Sequence, residues 1–371
     1  MPDVIPNHQW FVWLHDSVTG DFRHDLSHLL AGGSADDALA GTGSGTVTLQ
    51  GNAVLPAGVM TGAQAYAAIK DDGASEIVIG MRDASGVVVS IGFAAYVMKK
   101  WVSNGQITLT VDQAPRRFMT ERFTFCMSDF ASGDFQIIGK SIEAAVASVI
   151  ARSMLCGPLP IDIGPTTGSG GFTADVSRWE ITTMEDLLVR IEKYGAEIRF
   201  EPYLTPTRQL RFNVRVATKI TGPVRVISVT AAATPIVDYE AGTDSRRQLT
   251  GTFVSGKGMG SRLPYGWAGT GADPGAPIRD AYRSGADTDN TNVLMAAAAS
   301  DLNNNRHARE MATFSVIPSQ DFPLSNFAVT RRLTVERRGH PILPDSDQTY
   351  RITGNHIDLS TRKITPTLEL M

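Results

Sequence analysis

Short segments of alternating apolar and polar residues, separated by glycine, proline or asparagine, most limit how this chain can fold. Ile107, Leu109 and Val111 share one face of such a segment. Asn104-Gly105, just before it, is a strong hairpin signal because both residues tolerate a positive φ. The 371 residues include 35 glycines and 19 prolines, a content that suits many turns. The sequence therefore predicts a β-rich protein.

Three segments depart from this pattern and show helical spacing. Apolar residues recur every three or four positions over residues 141–155, which predicts an amphipathic helix. Thr182 and Glu185 match a capping box before a second helix, which Gly195 is expected to end. The alanine-rich residues 290–306 predict a third helix.

Predicted strands occupy both ends of the chain and part of the middle. We expect a loose Gly/Ala/Ser stretch over residues 31–45, and a turn at Gly354-Asn355 near the end. Two strands joined by a proline-containing turn follow the second helix. The predicted strands are residues 10–14, 46–49, 87–93, 96–102, 107–111, 197–200, 210–216, 330–335, 349–353, 356–359 and 364–370.

Charge and cysteine content exclude several classes of protein. The formal net charge is −4, from 34 basic and 38 acidic residues, which disfavours a basic nucleic-acid binder. No apolar run approaches the ~20 residues of a membrane span, and the first residues lack the pattern of a signal peptide. Cys126 and Cys156 lie thirty residues apart, which excludes a disulfide-stapled scaffold and a zinc ribbon. We expect a soluble protein made in a reducing compartment.

Metal and nucleotide motifs are incomplete. His24 and His28 have the spacing of a zinc pair on a helix, but Asp25 replaces the longer glutamate that a zinc peptidase needs as general base. The segment 251–257 approaches a phosphate-binding loop, but glycine follows Lys257 where serine or threonine should hold magnesium. The glycines of residues 41–45 precede a strand and not a helix, so they do not predict a dinucleotide site.

Signals for catalysis are also missing. No serine occupies a Gly-x-Ser-x-Gly turn before a helix, although a Ser-His-Asp site could assemble from any of the 7 histidines. Asp36-Asp37 and Asp71-Asp72 are adjacent pairs whose side chains point apart and suit turns. Arg331-Arg332 and Arg337-Arg338 could line a channel or bind phosphate, but a solvated β edge is the preferred interpretation. We expect no catalytic, cofactor-binding or metal site.

Six segments form a recognisable order along the chain. They are the aromatic segment 10–14, the polar Asp25-Leu26-Ser27, the loop 41–45 leading into strand 46–49, the helix–glycine–strand unit 182–200 with strand 210–216, the glycine-rich segment 254–262, and Tyr350-Arg351-Ile352-Thr353-Gly354 before the last strands. In this order the chain resembles the tail-hub family of bacteriophages. The resemblance is to siphophage tail-tip hubs (minor tail proteins), with the contractile-phage baseplate hub more distant. It spans nearly the whole chain; residues 55–68 fit it less well and are interpreted as an insertion.

The resemblance implies a β-rich α+β fold, with two small antiparallel, tail-tube-like β-barrel modules and an α+β module between them. We expect the first barrel in residues 1–115 and the α+β module in residues 116–220. Strands and a glycine-rich loop that link or complete the first barrel follow in residues 221–288. A helix and the second barrel fill residues 289–371. The middle module either follows the first barrel or is inserted into it.

The implied function is structural and not enzymatic. A homotrimeric hub at the distal end of the tail would adapt tube symmetry to the tip, since three chains with two modules each give six. It would close or gate the channel and support assembly. The implied partners are the distal tail or tail-tube protein, the tape-measure protein and other tail-tip or fibre proteins, without membrane span or sequence-specific nucleic acid. The implied location is the virion tail tip, after synthesis in the host cytoplasm. The hairpins over residues 87–111 and 348–370 are the candidate ring contacts.

Two alternatives remain open. One is a tail-associated cell-wall hydrolase, whose enzymatic domain is usually appended beyond the barrels. The other is the hub of a contractile secretion machine, which normally continues into a long β-helix.

Overall fold

The computed structural model describes residues 9–53, 56–70, 73–83, 85–126, 134–246, 248–269, 277–284, 288–306, 309–319 and 321–371. Contacts divide the chain into two compact units. Unit 1 comprises Met1–Asp238 and Phe314–Met371, and unit 2 comprises Tyr239–Thr313. The predicted module borders near residues 115, 220 and 288 stay a prediction.

A large sheet joins strands from both ends of the chain. Its strands are β1 Gln9–Asp16, β2 Phe22–Asp25, β3 Leu30–Ala38, β4 Ser44–Gln50, β5 Ser75–Arg82, β6 Val88–Ser103, β7 Gln106–Gln113, β13 Val224–Ser228, β14 Ile236–Asp244, β18 Arg309–Val316, β19 Arg332–Arg337, β20 Ser346–Asp358 and β21 Lys363–Leu370. Their order is β14-β18-β21-β20-β3-β4-β7-β6-β5-β1-β2, and β19 pairs with both β20 and β13 beside this path. The pairs from β18 to β2 are antiparallel, whereas β13 and β19 are parallel.

The predicted β-rich fold is confirmed, and the predicted barrels are not. Strand pairing among the described residues does not return on itself, so no closed barrel is found there. The N-terminal and C-terminal strands instead meet in one sheet, where Ala35 of β3 pairs with Ile357 of β20. Two separate barrel modules remain a proposal.

An α+β layer follows β7 and packs on the sheet. Its elements are α2 Arg116–Glu121, β8 Phe135–Lys140, α3 Ile142–Leu155, β9 Ile161–Asp162, β10 Phe172–Val176, α4 Met184–Lys193, β11 Glu197–Leu204 and β12 Leu210–Ala217. Trp13 and Tyr96 of the sheet share one buried cluster with Val149 of α3 and Leu187 of α4. Burial of this apolar surface is the main force that holds the layer in place.

The predicted helices are confirmed, with one correction at a helix start. Helix α3 begins after Ser141, whose side chain accepts a hydrogen bond from the Ala144 amide. For α4 the capping box is one residue later than predicted: Thr183 is the N-cap and Asp186 reaches back to its amide. Thr182 instead uses its carbonyl to accept a hydrogen bond from the Thr124 amide, so it belongs to the preceding extended segment.

The stretch predicted as loose, residues 31–45, contains the central strand β3. Small residues conceal its alternation, because Ala35 is fully buried although it adds little apolar surface. A Cβ at Gly33 would lie 2.0 Å from the carbonyl oxygen of Thr46, and its φ is +129°. Glycine is therefore required for β3 and β4 to lie this close.

Two predicted strand pairs are each one long irregular strand. The segments 87–93 and 96–102 belong to β6, whose register shifts between Val97 and Lys99. The predicted turn at Gly354-Asn355 lies inside β20, where the register shifts between Ile352 and Gly354. A bulge keeps the strand continuous while adding a residue, which a local turn signal does not distinguish from a true reversal.

Unit 2 is a small sheet with a helix on one face. Strands β15 Gly251–Ser255, β16 Tyr265–Gly269 and β17 Asp280–Arg283 have the order β16-β15-β17. The predicted alanine-rich helix is confirmed as α5 Thr291–Asn305. Leu294 and Ala298 of this helix pack on Val254. The remaining elements are the short helix α1 Gly62–Ala68 and three 3-10 turns, Ser27–Leu29, Gly260–Arg262 and Leu324–Phe327.

Candidate assembly interface

One face of the large sheet carries hydroxyl groups in register across neighbouring strands. Thr46 and Thr48 of β4 lie directly opposite Thr110 and Thr108 of β7. Directly opposite residues project from the same face, so the four threonines form one patch. All four are half-buried. Val47 and its neighbours on alternate positions project from the other face into the core.

The same face stays polar as the sheet continues toward the C-terminal strands. Asp36 of β3 lies opposite His356 of β20, and its carboxylate is 2.7 Å from the His356 Nδ1 atom. Thr365 of β21 lies opposite His356, and its hydroxyl is 2.8 Å from that of Ser315. We call the face carrying these residues and the four threonines the polar face. Its side chains on these strands can form hydrogen bonds, and the exposed Trp101 of β6, opposite Thr108, lies at its border.

The hairpin of β6 and β7, the first predicted ring contact, exposes apolar side chains at its end. Met98, Trp101 and Val102 are all exposed. The Lys99 ammonium lies 4.1 Å from the centre of the Trp101 ring. Trp101 and Val102 are consecutive in β6 and so project from opposite faces of the hairpin. Exposed apolar side chains of this kind are typical of a surface that becomes buried in an assembly.

The second predicted ring contact, the hairpin of β20 and β21, lies inside the sheet. β20 pairs with β3, β19 and β21, and β21 pairs also with β18. This hairpin therefore has no free edge along those paired segments. A contact through it would have to use its polar face or the exposed Leu370 at its end.

A buried ion pair joins β3 to the α+β layer. Arg199 of β11 donates two hydrogen bonds to the Asp37 carboxylate, at 2.8 and 2.6 Å, and one to the Ala38 carbonyl at 2.8 Å. Gln113 donates a further one to Asp37 at 2.5 Å. The residues of Asp36-Asp37 thus face opposite sides, as predicted, but they lie in a strand and not in a turn.

A second arginine holds the C-terminal strands to the same layer. Arg351 of β20 donates to the Glu197 carboxylate at 2.6 and 2.8 Å, to Glu369 at 2.8 Å and to the Ile220 carbonyl at 3.1 Å. Glu197 opens β11, so this cluster ties the start of that strand to β20 and β21. Bidentate arginine–carboxylate pairs fix geometry as well as charge.

The structure separates the two histidines that resemble a zinc pair. His24 lies on β2 opposite Leu14, whereas His28 lies in a 3-10 turn with Nε2 2.8 Å from the Met60 carbonyl oxygen. Because the intervening residues do not form an α-helix, the i, i+4 spacing does not place both rings on one helical face. The part of the chain that the structure describes contains no cluster of three metal-binding side chains.

The glycine motifs form strand ends and loops. The segment approaching a phosphate-binding loop begins as the strand β15, and a 3-10 turn, not an α-helix, follows at Gly260–Arg262. Residues 41–45 lead into β4, as predicted. The second aspartate pair, Asp71-Asp72, lies outside the described residues.

The arginine pairs do not line a solvated edge. β19 is paired on both sides, with β13 and β20. Arg337 is buried and donates to the Pro344 carbonyl at 2.7 Å, and Arg332 donates to the Gly222 carbonyl at 3.0 Å. Arg338 pairs with Asp347. The preferred interpretation of a solvated edge is therefore wrong, because β13 covers it.

Two features were not predicted, and the first departs from the expected reducing compartment, in which cysteines are kept as thiols. Cys126 and Cys156 form a disulfide with a Cα–Cα distance of 5.5 Å, brought together because α3 returns the chain to the segment before it. His15, Glu76 and Tyr96 lie side by side on β1, β5 and β6 and are fully buried. Burial raises the pKa of the Glu76 carboxyl well above its ordinary value, and Asp16 adds to this effect. Burial also lowers the pKa of His15.

Comparison by sequence finds no match, neither to a family model nor to a curated protein. Comparison of folds does find similar structures. The chain is similar to a tail protein from Neisseria meningitidis, with a TM-score of 0.53 and 15% identity over 98% of this chain and 96% of that one. It is similar also to the 43 kDa tail protein of prophage MuSo2 from Shewanella oneidensis, with a TM-score of 0.57 and 11% identity over 98% of each chain.

The chain has the fold of a phage tail protein. The resemblance predicted from the order of segments is thus confirmed at the level of the fold. A third similar chain belongs to the Francisella PdpA-VgrG complex, with a TM-score of 0.56 and 6% identity. This match covers 97% of the present chain but only 57% of the other. No helix among the described residues is long and apolar enough to cross a membrane.

Proposed function

We propose that this protein is a structural component of a phage tail, a homotrimeric hub at the distal end of the tail tube. The observation that carries the proposal is the fold shared with two tail proteins over nearly the full length of all three chains. The polar face supports it, since hydrogen-bonding side chains in register across β7, β4, β3 and β20 would suit the wall of a water-filled channel.

In the proposed assembly, the hub adapts tube symmetry to the tip and closes or gates the channel. Three chains, each contributing two tube-like modules, would match a six-fold tube. The tube protein, the tape-measure protein and tip or fibre proteins would be its partners, and the virion tail tip its location. The exposed end of the β6–β7 hairpin is the proposed contact between protomers or with the tube, because Trp101 and Val102 would be buried there.

Two measurements test the proposed hub: the native mass of the purified protein, and the assembly of tails. Light scattering of the purified protein should give three times the 39.9 kDa chain mass, and Trp101→Glu with Val102→Glu should reduce that mass and block tail assembly. Trp179→Glu is the matched control, since Trp179 is also an exposed tryptophan but lies outside the hairpin. Normal tails from the hairpin variant would overturn the proposed contact.

The VgrG likeness favours a second candidate, the hub of a contractile secretion machine. Deletion of the gene in its host separates the two: loss of infectious tailed particles supports the phage hub, and loss of protein secretion supports the alternative. A cell-wall zymogram tests the proposed lack of enzymatic activity, and a clear band would contradict it.

A further inference from the structure

Unit 2 carries a row of aromatic side chains on the face of its sheet opposite α5. Phe253 of β15 lies directly opposite Trp267 of β16 on one side and Tyr282 of β17 on the other. Tyr265 is two residues from Trp267 on the same strand and so projects from the same face. These four side chains, here called the aromatic row, are 43% to 62% exposed.

The two faces of this sheet differ in the type of apolar residue. Val254 and Ala268 project toward α5 and pack with Leu294 and Ala298. On the opposite face, the described paired positions hold only aromatic, small or polar residues: the aromatic row, Gly251, Ser255, Gly269 and Asp280. Ile278, two residues before Asp280, is an exposed aliphatic side chain outside the paired positions. The four exposed rings at neighbouring positions offer flat surfaces on which a ligand can stack.

Polar groups flank the rings at both ends of the row. The Tyr282 hydroxyl donates to the Ser255 hydroxyl at 2.9 Å, which fixes the orientation of that ring. At the other end the exposed Asp280 carboxylate accepts a hydrogen bond from the Thr250 hydroxyl at 3.2 Å. Gly251 and Gly269 lie beside Asp280 and have no side chains, so the surface there forms a shallow depression.

The charge of the face distinguishes between stacking ligands. Asp280 is the only charged side chain at the paired positions of this face that the structure describes. A nucleic acid needs cations beside the stacking rings to neutralise its phosphates, and an anionic membrane needs lysine or arginine. An uncharged sugar needs neither, since its C–H groups pack on aromatic rings and its hydroxyls donate to a carboxylate.

We propose that the aromatic row binds a neutral glycan chain, with sugar rings stacked on Trp267, Phe253 and Tyr282 and their hydroxyls hydrogen-bonded to Asp280. This site is independent of the proposed assembly contact, because that contact lies on the β6–β7 hairpin of unit 1. A variant that loses glycan binding but keeps the native mass affects only the glycan site. A variant that keeps glycan binding but loses the native mass affects only the assembly contact.

Calorimetric titration of the full chain with two neutral tetrasaccharides, one of N-acetylglucosamine and one of glucose, tests the site. We expect saturable binding of at least one, weakened at least tenfold by Trp267→Leu and by Phe253→Leu. These substitutions keep apolar surface but remove the planar ring, and circular dichroism verifies the fold. Trp179→Leu is the control and should bind normally.

Three results would overturn the proposal. One is binding of neither tetrasaccharide, and another is equal binding by the leucine variants. The third is binding of a single-stranded oligonucleotide in place of the sugars. A fall in native mass caused by Trp267→Leu, without sugar binding by the unchanged chain, would assign the row to an interface between copies.

Discussion

Single side chains in the core of unit 1 carry charges or protons that the fold must accommodate. Glu76 is fully buried between His15 and Tyr96, and neither of its carboxylate oxygens has a hydrogen-bond partner among the described residues. Burying an ionised carboxylate without a partner is costly, so the group holds its proton instead. The residue is therefore a source of pH-dependent stability.

We expect Glu76→Gln to stabilise the protein at neutral and alkaline pH but not near pH 4. The folded state keeps the Glu76 proton above the ordinary pKa of 4.5, while the unfolded chain loses it. The free energy of unfolding therefore falls as pH rises, by about 1.4 kcal/mol per pH unit, until the raised pKa is reached. Urea unfolding from pH 4 to pH 8 measures the effect, and parallel curves for both proteins would contradict it.

The buried Arg199–Asp37 pair should be much more important for stability than an exposed pair. Arg199→Ala leaves the Asp37 carboxylate buried without its cation, which we expect to cost about 3–5 kcal/mol. The exposed Arg338–Asp347 pair is the control, and Arg338→Ala should have no measurable effect on unfolding. Similar midpoints for the two variants in denaturant would show that Asp37 finds other partners.

At the scale of elements, the close approach of β3 and β4 depends on glycine. We expect Gly33→Ala to destabilise unit 1 by about 1–3 kcal/mol, because its Cβ would collide with the Thr46 carbonyl and its φ is positive. Gly164→Ala is the control, since Gly164 has open space and no positive φ. Thermal unfolding followed by circular dichroism compares them, and equal melting temperatures would mean that β4 shifts at little cost.

Elements with regular apolar spacing were predictable, and those shaped by distant contacts were not. The spacing in residues 141–155 and the Asn104-Gly105 turn are local signals, and both helix and turn are present. β3 could not be recognised, because its core-facing Asp37 is satisfied by Arg199, 162 residues away. Nothing local in Ser75–Arg82 predicted β5 as the partner of β1 either. At the candidate interface the hairpin tip was predictable, while the polar face emerged only from strand register.

At the scale of the molecule, unit 2 is inserted at a point where the two flanking segments are hydrogen-bonded. The Ile317 amide donates to the Pro235 carbonyl at 2.9 Å. We expect replacement of residues 239–313 by a short Gly/Ser linker to leave unit 1 folded, because a few residues span this distance. Near-UV circular dichroism and native mass measure this, and insoluble protein would show that unit 1 depends on unit 2.

The pairing of β3 with β20 also determines when β3 can complete its hydrogen bonds during synthesis. The first 113 residues can form β1 to β7, but one edge of β3 finds its partner only in residues 346–358. At 5–20 residues per second, that edge stays open for about 15–60 s after β3 leaves the ribosome. An open edge is a template for pairing with another chain. Nascent chains on one messenger are thus exposed to each other through β3 until the last strands are made.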